Sequence, residues 1–261
     1  MVFHLDFRHR RGAGIRHHQR DVAGSGIFRQ GRPTEEKVKR KPPIKALVFD
    51  AYGTLFDVHS VIALCDELFP GQGAQLSQTW RAKQLEYTWL KSLMGRYQDF
   101  GKVTEAALKF ACKALKLDCP SQLRKQLMQA YLHLEPYPEV KEALAALSHC
   151  KLAILSNGSP RMLKALVKNN GLTKAFDKVI SVDEVKIFKP SPKVYALAPK
   201  RLKVKKSEIG FVSSNFWDIC GAASFGLRTF WINRAGNPTD ELGFSPAATL
   251  SKLTDLIEIV D

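Results

Sequence analysis

The chain is predicted to fold as a doubly wound α/β protein: a parallel sheet covered by helices on both faces, with a helical segment inserted early. Three features predict this class. Strand-sized apolar runs alternate with helical periods from Ile44 onward. The runs are apolar almost throughout rather than at every second residue, as strands buried on both faces require. The interval between the first and second runs, residues 58–137, is too long for one crossover helix.

The first strand is "IKALVFD" (44–50), followed after the long interval by "KLAILSN" (151–157), "KVISV" (178–182), "IGFVSSN" (209–215) and "RTFWIN" (228–233). Helical periods at Pro138–Leu147 and Pro160–Asn169 supply crossovers. The stretches "QLSQTWRAKQLEYTWLKSLM" and "VTEAALKFACKAL" read as amphipathic helices of an inserted cap. The expected division is therefore a core of 44–57 and 138–261, a helical cap domain of 58–137, and a basic extension at 1–43.

That extension holds 11 Lys or Arg against 4 acids, while the other 218 residues hold 29 against 21. It also has four of the seven histidines (His4, His9, His17 and His18), scattered glycines and no sustained apolar period, so disorder is expected. Of the formal charge of +15, +7 falls in these 43 residues and +8 is spread over the other 218, and a nucleic-acid partner is not expected for the folded part. No apolar run approaches the roughly 18 to 20 residues that span a bilayer. Five cysteines without a C-x-x-C pair, and no continuous apolar secretory segment, read as buried reduced thiols of a cytoplasmic protein.

In an open parallel sheet, ligands gather beyond the carboxyl ends of the strands where strand order reverses. Polar residues end four of the strands: Asp50, Ser156-Asn157, the Lys189-Pro190 turn, and Ser213-Ser214-Asn215 with Asp218. On the long insert helix, Arg81 shares an i, i+4, i+8 line with Leu85 and Trp89, which is expected to face inward.

The stretches "FDAYGTLFD", "LSNGSP", "KIFKPSPKVYALA" and "FVSSNFWDICGAASFGLRTFWINR", in this order, resemble the haloacid dehalogenase superfamily, and within it the L-2-haloacid dehalogenases. The resemblance runs from about Ile44 to the carboxyl terminus and includes "WRAKQLEYTWLKSLMGRYQDF". It implies a Rossmann-like core with an inserted helical cap, no cofactor, a small-molecule halo acid as substrate, and a homodimer.

It also implies roles for individual residues. Asp50 is the nucleophile, held by Thr54; Lys189 is the positive group that keeps it ionised. Asp218, with Ser213 and Asn215, orients the hydrolytic water and balances that lysine, and Tyr195 braces the site. Arg81, Asn157 and Trp217 stand on the halide side. Ser156 and backbone N–H groups near Tyr52 bind the substrate carboxylate. Tyr52, Leu85, Phe100 and Trp217 form an apolar wall. The implied reaction converts (S)-2-haloacids to (R)-2-hydroxyacids through an aspartyl ester without a metal.

Two departures from the superfamily's phosphatases favour carbon–halogen chemistry. Those enzymes carry D-x-D-x-T, whose second carboxylate protonates an alkoxide; Tyr52 stands there, and halide leaves without a proton. The acids that help hold magnesium after the fourth strand are replaced by Ser213-Ser214-Asn215, with only Asp218 remaining. A magnesium-dependent phosphatase on the same scaffold is the alternative enzyme, and a nucleic-acid protein acting through the basic extension is the alternative outside catalysis.

Overall fold

The computed structural model describes residues 42–260. The extension expected at 1–43 lies outside the described residues except for Pro42 and Pro43.

Among the described residues six strands form one parallel sheet in the order β3-β2-β1-β4-β5-β6: β1 (Ala46–Phe49), β2 (Lys151–Ser156), β3 (Lys178–Ser181), β4 (Ile209–Ser213), β5 (Arg228–Ile232) and β6 (Ala248–Leu250). All neighbouring pairs are parallel. The five expected strands are present, and β6 is additional. It pairs Phe230 with Ala248 and Ile232 with Leu250 at the sheet edge. A three-residue strand after a Gly-, Pro- and Ser-containing stretch has too little apolar period to be seen in sequence.

The apolar runs become central strands because their side chains are buried on both faces. Every residue of β1 and β4 is buried. Leu47, Phe49, Ile154, Phe211 and Val212 meet in the core. Strand order reverses between β1 and β4, so their carboxyl ends border the crevice where ligands collect. The register there is close: Phe49 lies opposite Val212, and the Asp50 N–H continues the ladder to the Val212 carbonyl at 2.9 Å.

Five α-helices lie between β1 and β2: α1 (Ile62–Leu68), α2 (Gly73–Leu93), α3 (Phe100–Ala114) and α4 (Ser121–Ala130), then α5 (Val140–Ala146), which leads into β2. Asp99 starts α3 by accepting the free N–H groups of Gly101 and Lys102. α2 and α3 are tied by the Trp80 indole N–H, which donates to the Thr104 carbonyl at 2.8 Å. The deeply buried line of α2 is Leu76, Trp80, Gln84 and Thr88. Arg81, Leu85 and Trp89, expected to face inward, are half-buried along its edge. Among the described residues no helix is long and apolar enough to cross a membrane.

After β2 come α6 (Pro160–Asn169), α7 (Pro192–Tyr195), α8 (Leu197–Leu202), α9 (Phe216–Phe225) and the terminal α10 (Ile257–Val260). Ser159 caps α6 and Pro160 occupies its first turn, so the predicted start holds. Two glycines are needed for position rather than freedom in general. Gly53 has φ +89° in the turn after Asp50, where the Ala51 carbonyl accepts from Thr54, Leu55 and Phe56 N–H groups. Gly221 lets α9 approach α7: a Cβ there would lie 2.5 Å from the Tyr195 hydroxyl oxygen and 2.6 Å from Pro190 Cβ.

Alanine at 221 gains about 1 kcal/mol of helix propensity but overpacks this contact by about 1–3 kcal/mol. Gly221→Ala is therefore expected to lower the urea midpoint. An unchanged or raised midpoint would show that the contact relaxes freely.

Candidate active site

The turn after β1 presents Asp50, and three other segments converge on it. Lys189, from the segment between β3 and α7, donates through its ammonium Nζ to Asp50 Oδ1 at 3.0 Å and to Asp218 Oδ2 at 2.8 Å. Asn215, beyond β4, donates from Nδ2 to Asp50 Oδ2 at 2.9 Å and to the Tyr52 carbonyl at 3.3 Å. Asp218, in the first turn of α9, accepts the Tyr195 hydroxyl on Oδ1 at 2.7 Å. The Thr54 hydroxyl reaches Asp50 Oδ2 at 3.4 Å and accepts the Ser214 N–H at 2.8 Å. Asp50 is 5% exposed, Lys189 1% and Asp218 fully buried.

Two carboxylates share one ammonium, so the trio carries a net negative charge when all three are ionised. Burial pulls the Lys189 ammonium down, but Asp218 and Asp50 outweigh it and leave the group above the ordinary lysine value. Burial pushes the Asp218 carboxyl up to about 6; Lys189 opposes that rise and Asp50 adds to it. Burial outweighs the attraction of Lys189, and the charge of Asp50 adds to the rise, so Asp218 stays above the ordinary aspartate value. Burial first, and then Asp218, hold the Tyr195 hydroxyl well above its usual range, so it remains a donor.

The other expected site residues join through intermediates. Asn157 Oδ1 accepts the Lys189 backbone N–H at 3.0 Å, fixing the lysine's segment. Ser213 Oγ accepts the Asn215 N–H, and Ser156 Oγ accepts the Gly158 N–H, each at 3.1 Å. The Arg81 guanidinium donates to the Tyr52 carbonyl at 3.2 Å. The Tyr52 and Phe100 rings lie 5.1 Å apart, and the buried Tyr52 hydroxyl has no hydrogen-bond partner among the described residues. Trp217 packs edge-on against Trp89 at 5.5 Å. Leu85 is half-buried on α2 between Arg81 and Trp89. A mostly apolar cavity of about 410 Å³ opens where α2 meets the 187–191 segment, lined by Trp89, Leu93, Ile187, Phe188, Lys189 and Trp217.

A divalent cation does not fit this donor set. The ammonium already bridges both carboxylates, and Ser213, Ser214 and Asn215 add no charged oxygen. Among the described residues no group of three or more His, Cys, Asp or Glu side chains is placed to hold a metal ion.

Comparison with known proteins shows the family. A family model described as haloacid dehalogenase-like hydrolase matches residues 44–226. The chain belongs to the haloacid dehalogenase-like hydrolases. It is 50% identical over 220 residues to the (S)-2-haloacid dehalogenase of Pseudomonas sp. (strain YL), covering 84% of this chain and 95% of that one. It is 44% identical over 219 residues to haloacetate dehalogenase H-2 of Moraxella sp. (strain B), covering 83% and 98%. Among solved structures, the L-2-haloacid dehalogenase from Xanthobacter autotrophicus with chloropropionic acid covalently bound superposes with a TM-score of 0.81. That match has 42% identity and covers 83% of this chain and 98% of the other.

Three contributors to this hydrolase site escape a reading of the sequence. Ser214 was seen only as part of a polar run, yet its N–H fixes Thr54. Arg234, just past β5, donates to the Thr54 carbonyl at 3.0 Å, to Ser214 Oγ at 3.0 Å and to Glu139 at 2.7 Å, while stacking 3.7 Å over the Tyr137 ring. Gln84 is wholly buried on α2 and accepts from Arg81 at 2.7 Å. Only Gln84 carries a sequence signal, a polar residue three positions after Arg81 on the apolar line of Trp80.

Because the Asp218 carboxyl is raised in the folded chain, it binds its proton more tightly there than when unfolded. The stabilisation from this group is full below the ordinary aspartate value and is lost as pH rises through about 6. The melting-temperature difference between wild type and Asp218→Asn should shift in the variant's favour between pH 4 and 7. A difference flat across that range would show that Asp218 does not titrate there.

Proposed function

We propose that this chain is an (S)-2-haloacid dehalogenase that hydrolyses the carbon–halogen bond of 2-haloacids to (R)-2-hydroxyacids through an ester on Asp50. The observation that carries this reading is the Asp50 carboxylate paired with Lys189, with Tyr52 where a proton donor for an alkoxide would otherwise stand. The names of the relatives at 44–50% identity point the same way.

In the first step an Asp50 carboxylate oxygen forms a bond to the halogen-bearing carbon as the carbon–halogen bond breaks, its electron pair leaving as halide. Attack from the side opposite the halide inverts the centre. Arg81, Asn157 and Trp217 stand on the halide side; of these Arg81 supplies full positive charge to the departing anion. Ser156 and backbone N–H groups near Tyr52 take the substrate carboxylate. Tyr52, Leu85, Phe100 and Trp217 exclude water from the displacement.

In the second step water adds to the Asp50 ester carbonyl carbon as its proton passes towards Asp218; the acyl carbon–oxygen bond then breaks, that proton returns to the departing alkoxide, and the hydroxyacid leaves with the original carboxylate oxygen while Asp50 is restored as a carboxylate. Ser213 and Asn215 hold the geometry of the loop beside that carbonyl, Thr54 restrains Asp50, and Tyr195 keeps Asp218 turned towards Lys189. Residues 58–137 serve as a cap domain that closes the site from above. We further infer a cytoplasmic homodimer; sedimentation equilibrium returning a single-chain mass would remove the dimer.

Two measurements test the reading. One turnover of 2-chloropropionate by excess protein in heavy-oxygen water should give first product molecules with ordinary oxygen and leave label on Asp50. Halide release should survive chelator and fall by about 10³-fold or more in Asp50→Asn, the scale seen when a nucleophile is lost. Phosphomonoester cleavage abolished by chelator, with no halide release, would instead support the phosphatase.

A further inference from the structure

Gln84 is a fully buried polar side chain in the middle of α2. Burying an amide costs free energy unless each of its groups finds a partner, so its hydrogen bonds carry information. Their directions can be read without ambiguity. The Thr104 hydroxyl has one hydrogen, donated to the Phe100 carbonyl at 2.6 Å. Thr104 Oγ1 therefore accepts from its other neighbour, the Gln84 amide Nε2 at 2.7 Å. With Nε2 committed to Thr104, Gln84 presents Oε1 to Arg81, whose guanidinium NH1 donates to it at 2.7 Å. The chain runs one way, from arginine to glutamine to threonine to a helical carbonyl, and the amide has no second orientation that satisfies both ends.

The other anchored nitrogen of Arg81 donates to the Tyr52 carbonyl on the loop that carries Asp50. Both acceptors are neutral, and among the described residues Arg81 has no carboxylate within ion-pair distance. Its positive charge is thus fixed in place from two sides without being cancelled. Two of five guanidinium donors are used, which leaves the others for an anion.

We propose that Gln84 is a positioning residue that aims the uncompensated Arg81 guanidinium at the departing halide, with Thr104 fixing the orientation of its amide. The proposal rests on the dehalogenase reading and deepens it by assigning how the halide side is set. A glutamate at 84 has nearly the same shape but places a negative charge on Arg81, so neutrality at this position matters as much as reach.

The test uses leaving-group dependence, which a merely structural role does not move. Chloride is smaller and a poorer leaving group than bromide, so its departure depends more on a positioned cation. In Gln84→Leu and Gln84→Glu, kcat should fall about tenfold for 2-chloropropionate but only about threefold for 2-bromopropionate, with KM little changed. Thr104→Val, which removes the hydroxyl that orients the amide, should shift the bromide-to-chloride ratio in the same direction by a smaller factor. It also serves if Gln84→Leu does not fold. Circular dichroism confirms which variants are folded.

A ratio equal to wild type in the folded variants, whether or not both rates fall, would overturn the proposal. Failure of wild type to release any halide in the same assay would remove the dehalogenase reading and this proposal with it. The two failures are therefore distinguishable.

Discussion

A lysine ammonium held away from water, that of Lys189, organises the carboxyl end of this sheet. Moving such an ion into a protein interior costs several kcal/mol even after relaxation, and here the cost is offset by Asp50 at 3.0 Å and Asp218 at 2.8 Å. The ring of Phe211, 5.0 Å from the ammonium, adds a weaker attraction. Asp50 comes from the end of β1, Asp218 from α9 after β4, and Lys189 from the segment after β3. Three separate crossovers must therefore deliver their residues to one point. The surrounding bonds, Asn157 to the Lys189 backbone and Tyr195 to Asp218, keep that point from drifting.

The same constraint shapes the chemistry. With one cation for two anions, the more deeply buried carboxylate takes the charge deficit, and the exposed edge of the pair is left at the end of β1 where a ligand can meet it. No second carboxylate competes for the ammonium from position 52, since Tyr52 occupies it with a buried ring stacked near Phe100 and Tyr131. The neighbouring donors, Asn215 and Thr54, are neutral and restrain Asp50 without adding charge. The helical insert follows the same economy: Arg81 is anchored by neutral oxygens only, so the positive field it brings over the site is undiminished.

The strands were legible because a strand covered on both faces must be apolar along its length, and "ALVF", "LAIL" and "GFV" have no other comfortable place. The polar residues that end them were legible for the complementary reason, that a sheet's carboxyl ends are where such groups find partners. β6 was not, being a three-residue edge strand whose pairing depends on β5 already standing beside it. Arg234 and Ser214 were hidden because they act through backbone groups of Thr54, and a sequence does not show which carbonyl a side chain will meet. On α2 the helical period was clear, but it placed the inward line one residue off: the buried line runs through Trp80 and Gln84, with Arg81 at its margin.

By itself the sequence determined the fold class, the positions of five strands along the chain, the insert between the first two, and the identity of the residues that can carry charge at the sheet's end. These follow from local periodicity and residue chemistry, which short windows contain. Only the tertiary structure decided that Lys189 bridges two carboxylates, that Asp218 rather than Asp50 lies wholly out of water, and that Gln84 faces Arg81 with its oxygen. Each of those depends on distances between segments tens to more than a hundred residues apart or on adjacent helices, set by packing across the whole core.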